Sequence, residues 1–194
     1  MIEETHQSFY SDLHEMFDLL EAEMTLAELN LRLDQVRSLY LIHLHQMYSA
    51  EELMFTATPV MAISVCSTEI KAALLTEASK APDRLAVLTN IFAELEESTA
   101  GPICLPVKAL VDLSTEVNVK HAFGPERDLL LLTLALEMKQ LNVSKYLMAA
   151  TYARALNLPE QVLALSAIEQ TEMEIDNRLK LILHDTIQVI PAHF

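Results

Sequence analysis

Apolar residues recur at helical spacing along almost the whole chain, and punctuation residues cut the pattern into about six segments. From Thr5 to Glu23, Phe9, Leu13, Met16, Phe17 and Leu20 form one stripe, continued by Met24 and bordered by acidic residues. Thr25 and Glu28 make a T-x-x-E capping box that opens a second helix, running through Leu39, Leu41, Leu44, Met47 and Leu53 to about Ala62. Pro59 lies inside it, so a kink or break is expected there. A third helix starts near Ser67 or Thr68 and continues to about Glu97, interrupted at Pro82. STAGPICL, residues 98–105, reads as a loop, and a shorter helix follows from about Pro106. Gly124-Pro125-Glu126 and Leu158-Pro159-Glu160 are stop-and-restart signals for the last two helices, the final one ending before Pro191.

Composition agrees with this pattern. Of 194 residues only two are Gly and none is Trp, and no Asn-Gly or Asp-Gly turn separates alternating apolar runs. The expectation is an all-α domain with a substantial core. Four long helices with a shorter one between the second and third suit a ferritin-like plan, but an ordinary crossover bundle gives the same coarse pattern.

The formal charge of −15 and pI near 4.7 argue against partners with anionic surfaces. An acidic exterior repels phosphate backbones and anionic lipid alike, so neither a nucleic-acid nor a membrane partner is expected. Two cysteines, Cys66 and Cys104, are too few for a disulfide scaffold. The N-terminus shows no secretory pattern, and the apolar runs are too short to span a bilayer, so a cytoplasmic location is expected.

Several short motifs stand in register. Tyr48-Ser49-Ala50-Glu51, Thr58-Pro59-Val60-Met61, Glu69-Ile70-Lys71-Ala72-Ala73, Cys104 with Ala109-Leu110-Val111, Arg127-Asp128 and Tyr146 together resemble the YciE/YciF-like branch of the ferritin-like proteins. The resemblance runs from about Leu31 to Leu179. It implies a ferritin-like four-helix bundle with a short helix in the crossover, assigned to residues 25–190; residues 1–24, outside the resemblance, are expected as an extra N-terminal helix from their apolar stripe, and residues 191–194 as a tail. It also implies a bacterial stress-associated setting and a di-metal centre built from carboxylates and histidines on four helices.

The chain departs from that ligand set. Glu51 matches the first-helix ligand, Glu172 matches one of a Glu-Glu pair on the fourth helix, and Asp176 matches the Asp that follows. Where the family has Glu-Glu-Thr-x-x-His, this chain has residues 79–84, including Lys80 and Arg84; where it has Glu-His-Tyr-Glu, it has Lys139, Gln140, Leu141 and Asn142. Two carboxylates cannot hold a metal pair, and added cations repel one. The expectation is that Lys80, Arg84 and Lys139 neutralise the remaining acids as buried ion pairs.

The favoured reading is therefore a non-catalytic binding or structural homo-oligomer without a bound cofactor. The alternative is an iron- or manganese-binding carboxylate protein or oxidase with a relocated site, drawing on Glu51, Glu52, Glu137, Glu172, Glu174 and Asp176. His43 and His45, two apart on a helix, point away from each other and cannot chelate one ion together. The nine methionines read as core packing. The Phe9–Met24 stripe has no interior place in a finished bundle; burying it could contribute on the order of 10 kcal/mol before ordering costs, which suggests a homodimer with this helix at or beside the interface.

Overall fold

The computed structural model describes residues 26–189, and all regular structure among them is helical. The helices are α1 (Leu26–Ile63), α2 (Thr68–Ala78), α3 (Ala81–Glu94), α4 (Leu105–Lys120), α5 (Pro125–Ala155) and α6 (Pro159–Val189). The expected N-terminal helix and its role in a dimer lie outside the described residues, as does the 191–194 tail. A first compact unit ends at Ser38, and along α1 its residues 28–38 are exposed apart from the half-buried Val36. The second unit begins at Leu39 and contains everything discussed below.

Most helix ends fall where the punctuation put them, for identifiable local reasons. Ser67 caps α2, its hydroxyl accepting from the Ile70 N–H at 3.3 Å. The Asp128 carboxylate of α5 accepts from the Cys66 and Ser67 N–H groups at 2.8 and 2.7 Å, tying the starts of α2 and α5 together. The third sequence segment divides into α2 and α3, with Pro82 in the first turn of α3, where its missing N–H is harmless. α3 and α5 close with 6→1 and 5→2 hydrogen bonds around Glu96 and Asn157, both left-handed at φ 58° and 56°.

Of the kink or break expected at Pro59, the break does not occur. α1 continues through it to Ile63 without a break. The carbonyl that loses a donor belongs to Phe55, which is 44% exposed, so water can replace the missing bond.

Two apolar clusters fill the second unit. One joins Ala50, Met54 and Met61 of α1 to Ile70 and Leu74 of α2, Leu131 and Met138 of α5, and Leu179 of α6. The other joins Tyr40, Leu44 and Met47 to Leu88 and Phe92 of α3, Tyr146 and Ala149 of α5, and Leu165 of α6. In each long helix the residues between these clusters include a buried charged or amide side chain: Glu51 in α1, Lys139 and Asn142 in α5, and Glu172 in α6. α2 and α3 contribute Glu77 and Arg84 at the same level.

Candidate functional site: a buried ion cluster at mid-bundle

Helical periodicity delivers these side chains inward. In α2 the buried residues are Ile70, Ala73, Leu74 and Glu77, so Glu77 is the last member of an apolar stripe. In α5 Lys139, Asn142 and Tyr146 follow one another at i, i+3 and i+7 on a buried face. Glu51 and Glu172 are fully buried, and Arg84 and Lys139 are only 4% and 1% exposed.

Arg84 is the hub. Its Nε donates to Glu51 Oε2 at 2.9 Å and its Nη2 to Glu77 Oε1 at 2.7 Å. Its Nη1 lies 3.1 Å from Glu172 Oε1, close enough to pair but misaligned for a hydrogen bond. Lys139 Nζ donates to Glu77 Oε1 at 2.5 Å and to Glu172 Oε2 at 2.7 Å. Two uncharged donors complete the set at Glu51 Oε1: Asn142 Nδ2 at 2.8 Å and the Tyr146 hydroxyl at 2.9 Å. Asn142 Nδ2 is also 3.3 Å from Glu172 Oε2.

Three carboxylates thus share two cations. Glu77 and Glu172 each touch both cations, whereas Glu51 touches only Arg84. Burial accordingly pushes the Glu51 carboxyl above its usual range, with the Glu172 charge adding to it against the pull of Arg84 and Lys139. Burial opposes the Glu77 carboxylate too, but Lys139 and Arg84 outweigh it and hold that group below the usual range. The Arg84 charge is disfavoured by burial and restored by Glu51, Glu77 and Glu172, which push its pKa up. Tyr146 is pushed well above a normal phenol by burial and by Glu51, so it is a donor and not a phenolate.

The sequence-derived candidates separate into two groups. Glu51, Glu172, Arg84, Lys139 and Asn142 meet in one cluster. Lys80 is exposed between α2 and α3, and Gln140 faces outward on α5 beside a groove against α4. Asp176 is buried one turn beyond Glu172, but the partner of its Oδ2 is Lys180, at 2.5 Å on the same helix. Glu77 is the member that reading by motif overlooked. Its place on the Ile70–Ala73–Leu74 stripe was the available signal.

A metal pair would need open carboxylate oxygens on several helices. Four of the six carboxylate oxygens here accept a hydrogen bond from another cluster member, and a fifth lies against Arg84. The sixth, Glu77 Oε2, is buried without a hydrogen-bond partner. Two buried cations stand among them, so the residues as arranged do not fit a di-metal group. His43 and His45 are used elsewhere: His43 Nε2 lies 2.8 Å from the Lys145 carbonyl, and the His45 ring packs 4.9 Å from that of Phe92.

Residues 35–189 match the family model described as a domain of unknown function, DUF892. The solved structure of the Escherichia coli stress protein YciF is similar with a TM-score of 0.75 at 17% identity, over 79% of this chain and 98% of that one. YcfI of Rhodopseudomonas palustris is similar with a TM-score of 0.71 at 19% identity, over 75% and 92% of the two chains. The curated proteins contain no match to the chain. At these identities the solved structures speak for the fold, an all-α bundle of the YciF kind.

Proposed function

The chain belongs to the DUF892 family, and we propose that within it this protein is a non-catalytic bundle whose buried ion pairs stand in place of a di-metal centre. Arg84 and Lys139 carry the reading: each bridges carboxylates from different helices, as a metal ion would, but as a covalent part of the chain. A tethered cation needs no loading and supplies no open coordination position or redox chemistry. The cluster then joins α1, α2, α3, α5 and α6 at one level, which suits a structural or binding role exercised as a homo-oligomer. The stress-associated setting of YciF is compatible with such a role, and so is a cytoplasmic location; no helix among the described residues is long and apolar enough to cross a membrane.

Metal analysis of protein purified without chelators tests the proposal. The expected result is iron and manganese far below one ion per chain, unchanged after incubation with either metal under reducing conditions. Tightly held metal near stoichiometry would overturn it. The second reading, a metal-binding carboxylate protein or oxidase, draws support from the convergence of Glu51, Glu77 and Glu172 from three helices. It requires Arg84 and Lys139 to swing out. In that case Glu51→Ala and Glu172→Ala lower metal content together.

A further inference from the structure

Between α3 and α6 lies a cleft of about 340 Å³, at the small end of the range of about 300–1,000 Å³ usual for ligand pockets. Its walls follow from helical spacing: Val87 of α3 faces Ala164, Ala167 and Ile168 of α6, and the two alanines leave space where larger side chains would close the helices together. Lys80 and Asp83, both exposed, stand at its outer edge with opposite charges. Arg84, 4% exposed, stands at its inner end. On α6 the lining ends at Thr171, the residue before the fully buried Glu172. Two polar atoms at this inner end are left over from the ion cluster. Arg84 Nε and Nη2 donate to Glu51 and Glu77, but Nη1 has no hydrogen-bond acceptor; Glu172 Oε2 accepts from Lys139, but Oε1 has no hydrogen-bond donor. The two are 3.1 Å apart.

We propose that the cleft binds a small uncharged amphipathic molecule, an apolar body ending in one hydroxyl. The inference goes beyond the binding role proposed above and rests on Arg84 and Glu172 staying in the ion cluster. The leftover atoms select the polar end. A donor and an acceptor 3.1 Å apart leave room for one oxygen at hydrogen-bond distance from both, and a hydroxyl serves both: its O–H donates to Glu172 Oε1 while its oxygen accepts from Arg84 Nη1. An ether leaves Glu172 Oε1 without a donor, and an ammonium leaves Arg84 Nη1 without an acceptor. Charge excludes the ions. A carboxylate would join three acids that already share two cations, and an ammonium would approach Arg84 with Lys139 behind it. At the outer edge Lys80 and Asp83 offset each other, so neither sign is drawn in. The aliphatic walls take the body.

Four probes of equal chain length test the site on the full wild-type chain: 1-hexanol, its isomer methyl pentyl ether, hexanoate and hexylamine. Binding is followed by the NMR shifts of the Val87, Ala164, Ala167 and Ile168 methyl groups. Hexanol is expected to move all four and to bind about 10-fold or more tighter than each of the others, the difference that one hydrogen bond to a charged group makes. Ala164→Phe fills the cleft and should weaken hexanol about 10-fold or more, with circular dichroism confirming the fold. Hexanol that leaves these methyl groups unmoved overturns the proposal. So does an ether that binds as well as the alcohol, or a tighter hexanoate or hexylamine, and none of these results depends on a variant. Metal content is measured on the same samples before any probe is added. Stoichiometric metal there counts against the ion-pair reading, whereas a wrong ranking in metal-free protein counts against the cleft alone.

Discussion

Replacing Lys139 by Met removes one of two cations from a cluster with three carboxylates, keeping most of the side-chain volume. Glu77 and Glu172 lose donors at 2.5 and 2.7 Å, and only Arg84 remains to serve all three acids. Lys139 is 1% exposed and Glu172 fully buried, so solvent cannot make good the loss. Breaking a buried pair from one side typically costs about 3–5 kcal/mol, out of a total of about 5–15 for a domain. At about 2–4 °C per kcal/mol for a chain of this size, the melting temperature should fall by about 6–20 °C. Urea unfolding followed by circular dichroism, at pH 7 and again at pH 5, is the assay. The loss should shrink at pH 5, where an unpaired carboxyl can neutralise itself by taking a proton. Lys139→Met/Glu77→Leu, which removes the pair from both sides, should recover much of the loss. A single-variant cost below about 1 kcal/mol, or one equal at both pH values, would refute the claim that this lysine compensates buried acids.

Stability should also depend on pH through two acids of opposite sign. The Glu51 carboxyl is raised in the fold, so its contribution is full below its unfolded value and is lost as pH climbs through the folded one; Glu51→Gln should flatten the decline on the alkaline side of 4.5. Glu77 is lowered, so its contribution is present above 4.5 and disappears as pH falls through the folded value; Glu77→Gln should remove that acid-side loss, measured by the same unfolding series. Asp128→Ala strips two charge-assisted bonds from the start of α2 and should cost about 2–4 kcal/mol, with hydrogen exchange rising first at Cys66 and Ser67, whose N–H groups lose their acceptor. Gly101→Ala forces a methyl into His45 and should cost about 1–3 kcal/mol, less in a His45→Ala background, by thermal unfolding.

The helices were legible because their signals are local. Ser67 before α2, Gly124-Pro125 before α5 and Pro159 before α6 act within one turn, and each fell within a residue or two of its place. Pro59 does not end α1, because a break is forced only where the carbonyl that loses its donor has nowhere to turn. On the exposed side of α1, at Phe55, water is at hand. The Glu96 and Asn157 caps carry little sequence signature, since left-handed closures are usually read from glycine and neither position has one.

The site was legible only in part, and the reason lies in geometry. Motif register took Arg84 and Lys139 as cations among acids, and both lie within ion-pair distance of buried carboxylates, but it aligned residues one by one along a helix that the chain in fact divides at Ser79–Lys80. Lys80 therefore fell outside the bundle while Glu77, two residues before the break, turned in. Stripe arithmetic gives the better guide here: an acid at the seventh step from Ile70 on an otherwise apolar face must be buried, and a buried acid must have a cation. Counting forward on α5 by the same rule puts Lys139 on the face of Leu131, Leu132 and Ala135. An acid and a base on the inner stripes of neighbouring helices satisfy each other, whereas either alone on such a stripe would argue against the fold. Periodicity by itself thus pairs Glu77 with Lys139, and family register is needed only to bring in Glu51, Arg84 and Glu172.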